Sequence, residues 1–203
     1  MRVIAGKYRS RRLRSLPGLD LRPTSDRLRE TLFDVLSAGG RTALEGSLWI
    51  DFYAGTGAVG IEALSRGAGM VYFVEASAPR AALIRQNLQS LGLETGFQVL
   101  KKNSERALAE LEAQGAEADV VFLDPPYRRQ AEYRRVLDAL ANSKLLKPSS
   151  TVIAEHERKF DPGEVFRSLA RYRKLEQGDS ALSFYRKIEV WSPPVRHPSG
   201  VRF

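Results

Sequence analysis

The sequence predicts an α/β fold: a doubly wound, mostly parallel sheet of seven strands with an antiparallel last strand, preceded by a small basic β-hairpin. Short apolar, β-branched runs alternate with stretches of helical period from Asp26 to Ala154, the pattern of strand–helix–strand units. A glycine-rich turn, Ala54-Gly55-Thr56-Gly57, separates the first such run from a helix start. A later run, Asp119 to Leu123, stops abruptly at Asp124-Pro125-Pro126-Tyr127.

The elements follow in order. Val3-Ile4 and Tyr8 are strand formers, and Gly6-Lys7 marks a turn, so residues 1–16 read as the hairpin. Thr24 or Ser25 caps the first helix, with Asp26 in its first turn and Leu28, Leu32, Val35 and Leu36 on one face. Gly39-Gly40 ends it. Residues 48–53 form the first core strand and 71–75 the second. Ser77 caps a helix that carries Leu83, Ile84, Leu88 and Leu91 inward, 97–100 is the third strand, and Asn103-Ser104 caps the helix after it. The fourth strand is 119–123, a helix follows over 131–141, and 151–154 is the fifth strand. Residues 164–170 look helical, and 171–176 and 181–190 read as two antiparallel strands across Gly178-Asp179. The division is a basic arm (1–20), one catalytic domain (21–191) and a loose tail (192–203).

Composition narrows the function. The chain has 203 residues and no cysteine, which excludes disulfides, thiolate metal sites and cysteine nucleophiles. With two histidines a metal site is not expected. No apolar stretch suggests a membrane span or a signal peptide, so a cytoplasmic location is expected, as a monomer. The net charge is +8, and residues 1–19 concentrate it: Arg2, Lys7, Arg9, Arg11, Arg12 and Arg14 stand there without an acid. Such an arm on a near-neutral body points to a phosphate-rich partner. It reads as an appendage whose removal leaves the core and cofactor affinity nearly intact.

The two motifs carry the chemistry. Glycines after a strand let the backbone approach a ligand, and the next helix offers free N–H groups. Glu75, at the end of the second strand, suits the two hydroxyls of a ribose. NAD and S-adenosylmethionine both fit these features. Asp51 separates them, because an acid just before the turn repels a pyrophosphate but suits a cationic sulfonium ligand with an amino-acid end. In a sheet ordered 3-2-1-4-5 the glycine turn and Asp124 flank the same crevice. There the Asp124 carboxylate and the Pro125 carbonyl are acceptors for an amine, and Tyr127 is a platform for a flat ring.

Asp51-Phe52-Tyr53-Ala54-Gly55-Thr56-Gly57 resembles the first motif of class I S-adenosylmethionine-dependent methyltransferases, whose fold is Rossmann-like. Asp124-Pro125-Pro126-Tyr127 resembles the catalytic motif of their amino-methylating branch. Arg2-Val3-Ile4-Ala5-Gly6-Lys7, Arg22-Pro23-Thr24-Ser25-Asp26-Arg27 and Arg29-Glu30-Thr31-Leu32-Phe33 are similar to segments of the bacterial 16S rRNA guanine-N2 methyltransferases of the RsmD type, with Ala5 where a glycine is expected. The resemblance implies that Asp51 and Ala54, Gly55, Thr56 and Gly57 hold the methionine end of the cofactor. Glu75 and Ala76 lie at its ribose, Asn103 and Ser104 border its adenine, and the segment with Arg22 and Thr24 closes over it. It implies catalysis by Asp124, Pro125, Pro126 and Tyr127. It further implies that the arm cations and Arg22 grip 16S rRNA, free or in the small ribosomal subunit.

The mechanism expected is direct in-line transfer to an extruded or unpaired base. A DNA adenine-N6 methyltransferase shares both central motifs but usually carries a target-recognition insert. A non-enzymatic RNA-binding domain explains the arm and leaves Asp124 idle. An NAD oxidoreductase explains Glu75 but neither Asp51 nor the arm.

Overall fold

The computed structural model describes residues 1–15, 25–38 and 44–188. Residue 16, Arg22, Thr24, Gly39-Gly40 and the tail, for which the sequence carries expectations, lie outside these residues.

Helix α1 spans Asp26–Ala38, and Ser25 Oγ accepts the Leu28 N–H at 3.1 Å as its cap. Then come β1 (Leu48–Phe52), α2 (Ala58–Ser65), β2 (Met70–Val74), α3 (Ala78–Ser90), β3 (Phe97–Leu100), α4 (Ser104–Ala113), β4 (Ala118–Leu123) and α5 (Gln130–Ala141). The chain closes with β5 (Leu146–Glu157), β6 (Val165–Phe166), β7 (Leu169–Gln177) and β8 (Ser180–Lys187).

The strands form one sheet in the order β3-β2-β1-β4-β5-β8-β7-β6. Pairing from β3 to β5 is parallel, and β8, β7 and β6 continue it antiparallel. The sheet thus has eight strands rather than seven, because β6 adds to the two antiparallel strands expected at 171–176 and 181–190. The difference lies in 164–170. Phe166 and Leu169 are buried at a helix-like spacing of three, but Arg167 adopts φ 46°, which turns β6 into β7. The fifth strand is also longer than its apolar centre, because β8 pairs with it as far as Glu157.

Each sheet face carries its own apolar layer. Trp49, Val71, Phe73, Val120, Phe122 and Ile153 pack with α1, α2 and α3. Ile50, Phe52, Val121, Leu123, Val152 and Ala154 pack with α4 and α5. The alternation along each strand sets which face its terminal side chain reaches. Among the described residues no helix is long and apolar enough to cross a membrane.

The arm doubles back as predicted, but its backbone pairing is one bridge, Arg2 to Arg12, flanked by Ser10 N to Val3 O and Leu13 N to Met1 O bonds. It is not a detachable appendage. Val3 (1% exposed) and Leu13 (6%) belong to the α1–α3 layer. The buried Glu62 carboxylate on α2 accepts the backbone N–H of Ile4 at 2.8 Å and of Ala5 at 2.9 Å. Buried Arg29 on α1 donates to Arg2 O at 2.5 Å, and its Nε lies 3.8 Å from Glu62. Gly6 has φ +79°, and a Cβ there would sit 1.8 Å from Ser65 O. The arm backbone lies flush on the end of α2, while Arg2, Lys7, Arg9, Arg11, Arg12 and Arg14 face outward. Tyr8 is half-buried against the same layer, so it covers the arm's apolar side.

Candidate active site

Parallel pairing places the ends of β2, β1, β4 and β5 side by side, and each of those ends is acidic. Asp51 sits opposite Phe73 and Phe122, so the glycine turn and the Asp124 motif leave the sheet from neighbouring strands. The sheet order 3-2-1-4-5 makes the gap between β1 and β4 the switch point, where open α/β sheets bind ligands.

The glycine turn is fixed from below. Gly55 has φ 57° and Gly57 φ 80°, and Gly57 N donates to Ala54 O at 2.7 Å. Gly57 is the N-cap of α2, so the helix opens with backbone N–H groups directed at the crevice. Asp51 already takes one of them, Gly60 N, at 3.0 Å. Burial pushes the Asp51 carboxyl up to about 7; the Gly60 bond opposes this and nearby Glu75 adds to it. Glu75 braces the turn itself, accepting Gly55 N at 3.0 Å with Oε2 and Ser77 N at 2.8 Å with Oε1. Each oxygen retains a second lone pair for a ribose hydroxyl. Ala76 is exposed beside it. Asn103 caps α4 through Arg106 N at 3.0 Å, whereas Ser77 stands at the N-cap of α3 without a side-chain bond.

Tyr53 enters this rim although the reading of the sequence assigned it no role. It has φ 63°, an uncommon conformation for a bulky residue. Its hydroxyl donates to Glu132 Oε2 at 2.7 Å and lies 3.1 Å from Ser104 Oγ. The bonds tie the glycine turn to the first turns of α4 and α5. Burial, chiefly, raises the Tyr53 hydroxyl to about 12, so it serves as a neutral donor.

Asp124 follows β4, its backbone N–H 3.4 Å from Phe52 O. Burial holds its carboxyl well above the usual carboxylate range, and Glu155 and Asp51 push in the same direction. Tyr133 on α5 sets the loop: its hydroxyl donates to Glu155 O at 2.8 Å and lies 3.4 Å from Pro125 O. Pro126 is exposed, and its carbonyl accepts Arg129 N at 2.7 Å, closing the turn into α5. Tyr127 is half-buried, its hydroxyl 3.4 Å from Ser180 Oγ.

A family model described as Conserved hypothetical protein 95 matches residues 1–186, from the arm into β8. Ribosomal RNA small subunit methyltransferase D of Haemophilus influenzae is 36% identical over 159 residues, covering 78% of this chain and 79% of that protein. The chain belongs to this RsmD-type methyltransferase family. YlbH of Bacillus subtilis is 32% identical over 187 residues, 92% of this chain and 99% of that protein. The yhhF protein of Escherichia coli has the same fold: TM-score 0.75 at 30% identity, covering 92% of this chain and 97% of that one.

This RsmD-type chain therefore brings Asp51, the 54–57 turn, Glu75, Ala76, Asn103, Ser104 and the 124–127 loop to one end of one sheet. Arg22 and Thr24 are outside the described residues. Tyr53, inside the first motif, and Glu155 stand at the same end of the sheet without a role implied by the resemblance. Glu155 ends an apolar run as Glu75 does, and that position in the chain is the one signal it leaves.

The raised Asp51 carboxyl has a measurable consequence. With the Asp51 carboxyl near 7 in the free protein, a cationic amino-acid group binding beside it favours the ionised form and releases a proton. Affinity for S-adenosylmethionine is expected to rise by up to about 10-fold from pH 6 to pH 8 and to level off above. Calorimetry across that range checks this, and an Asp51→Asn variant is expected to flatten the profile. A flat profile in the unsubstituted protein would remove Asp51 from the contact.

Proposed function

We propose that this chain transfers a methyl group from S-adenosylmethionine to the exocyclic N2 amine of a guanine in 16S rRNA. The observation that supports it best is the shared crevice, with the glycine turn after β1 and Asp124-Pro125-Pro126-Tyr127 after its neighbour β4. The residues fit the cofactor. Asp51 and the open N-terminus of α2 suit its ammonium and carboxylate, and Glu75 suits its ribose. When bound it supplies an electrophilic methyl group.

The chain's own residues do the rest. A guanine amine is a weak nucleophile because its lone pair is delocalised into the ring. Asp124 and the Pro125 carbonyl accept the two N–H bonds, which turns the lone pair toward the crevice floor. Tyr127 stacks on the extruded base. Holding the amine in line with the methyl group is the main source of acceleration, and no covalent intermediate on the enzyme is needed. The outward arm cations bind rRNA phosphates.

Glu75→Ala is expected to weaken S-adenosylmethionine binding by about 1–3 kcal/mol, the loss when hydroxyls lose a charged acceptor. Calorimetry with NAD as the comparison tests the assignment; tighter binding of NAD than of S-adenosylmethionine would contradict it. Incubation with tritiated cofactor, total RNA and DNA tests the substrate. Label is expected in the 16S fraction, and label confined to DNA would favour the adenine-N6 alternative.

A further inference from the structure

We infer that Glu155 reads the ring N1–H of the target guanine beside the amine held by Asp124, so that the two carboxyl groups together select guanine. This rests on the reading that a guanine amine is the acceptor.

Placement carries the inference. Leu123 of β4 pairs with Ala154 of β5 in parallel register, so Asp124 and Glu155 are the next residues of adjacent strands. Leu123 and Ala154 belong to the α4–α5 layer, and Phe122 and Ile153 to the α1–α3 layer. Side-chain alternation therefore sends Glu155 to the α1–α3 side, where Asp51 meets α2. His156, the next residue, confirms the phase: its ring packs against Tyr133 and Phe160 on the other face. Glu155 is buried at 2% exposure and lies close enough to Asp124 to push its carboxyl up. The Tyr133 hydroxyl, between Glu155 O and Pro125 O, fixes the two strand ends relative to each other.

The chemistry selects among bases. Guanine presents two adjacent donors on this edge, the N2 amine and N1–H. Adenine presents a donor amine beside the N1 acceptor, and cytosine a donor amine beside the N3 acceptor. A carboxylate next to the amine site accepts from guanine N1–H and faces a lone pair in the other two bases. The mismatch sets two lone pairs against each other in a buried site, which rejects the wrong base more strongly than a lost apolar contact does. The arriving guanine donors also favour the ionised form of Asp124.

The experiment uses the full-length protein with an RNA substrate carrying its mapped target guanine, and the same RNA with 2-aminopurine at that position. This analogue keeps the amine at C2 but has a bare N1. The unsubstituted enzyme is expected to lose about 10- to 100-fold in kcat/KM on 2-aminopurine, the effect of one charged hydrogen bond. Glu155→Gln, whose amide is able to donate to a bare N1, is expected to slow on guanine and to narrow or reverse that preference. The analogue also lacks O6, but this loss is common to both enzymes and cancels when their preferences are compared. Equal use of both bases by the unsubstituted enzyme, or an unchanged preference in a Glu155→Gln protein that binds cofactor normally, would overturn the role of Glu155. If Glu155→Gln does not fold, Glu155→Asp, which shortens the reach to N1–H, is expected to lower the guanine preference; an unchanged preference there would equally overturn it. If the enzyme methylates no guanine, the proposed function itself fails, and the inference with it.

Discussion

Replacing Asp124 by alanine is expected to slow methyl transfer by about 10² or more while cofactor affinity stays within a few-fold. The carboxyl lies where β4 leaves the sheet, and the cofactor turn is braced independently by Glu75 and by Asp51 on Gly60. Removing it takes away an acceptor for the amine and little else. Single-turnover transfer together with calorimetry on the same variant separates the two effects. Transfer near the unsubstituted rate would remove Asp124 from the catalytic role. Tyr127→Phe is expected to be mild, because the hydroxyl has only a 3.4 Å contact with Ser180, and Tyr127→Ala severe, because stacking needs the ring.

Deleting residues 1–15 is expected to unfold the protein or lower its melting temperature sharply. The packing reverses the simpler expectation of a removable arm. Loss of Val3 and Leu13 opens the α1–α3 layer at about 1.5–3 kcal/mol for each side chain. Glu62 loses the N–H groups of Ile4 and Ala5 and keeps only Arg29 and Arg66, at about 1.5–3 kcal/mol for each lost bond to a charged group. Asn87, which bonds Arg14 N and O, loses both while still donating to Thr56 O in the cofactor turn, so the damage reaches the site. A truncated protein as stable as the full chain by thermal melting would contradict this. The electrostatic role is separable, since the arm's cations face outward. Changing Arg9, Arg11, Arg12 and Arg14 to glutamine is expected to preserve folding and to reduce the slope of log K against log salt by roughly 3 in magnitude, at about 0.7 per phosphate contact on single-stranded RNA. An unchanged slope would leave the arm as a structural element alone.

The legible parts of the sequence are those whose determinants are local. The turn 54–57 needs left-handed backbone at Gly55 and Gly57, and only glycine supplies it cheaply, so it is visible in the letters. The abrupt strand end at Asp124-Pro125 is equally local. The alternation of elements gives the doubly wound class, and the order 3-2-1-4-5 taken for that class puts both motifs at one crevice, as found. The packing of the arm was not legible, because Glu62 and Arg29 look like ordinary polar residues of two helices until α1, α2 and the arm meet. Residues 164–170 misled because Phe166 and Leu169 share a helical spacing while the φ of Arg167 is set by the sheet it turns back into. Glu155 was overlooked because a single acid after an apolar run gains its meaning from the neighbouring strand, and the register of β4 on β5 is a tertiary fact.

The central claim is that one crevice joins a methyl donor to a guanine amine. Its most direct test is nucleoside analysis by mass spectrometry of 16S rRNA methylated by the purified protein with isotopically labelled S-adenosylmethionine. Label is expected in N2-methylguanosine and is abolished by Asp124→Ala. Label in a ring-carbon or ribose methyl group, or N2-methylguanosine formed undiminished by Asp124→Ala, would contradict it.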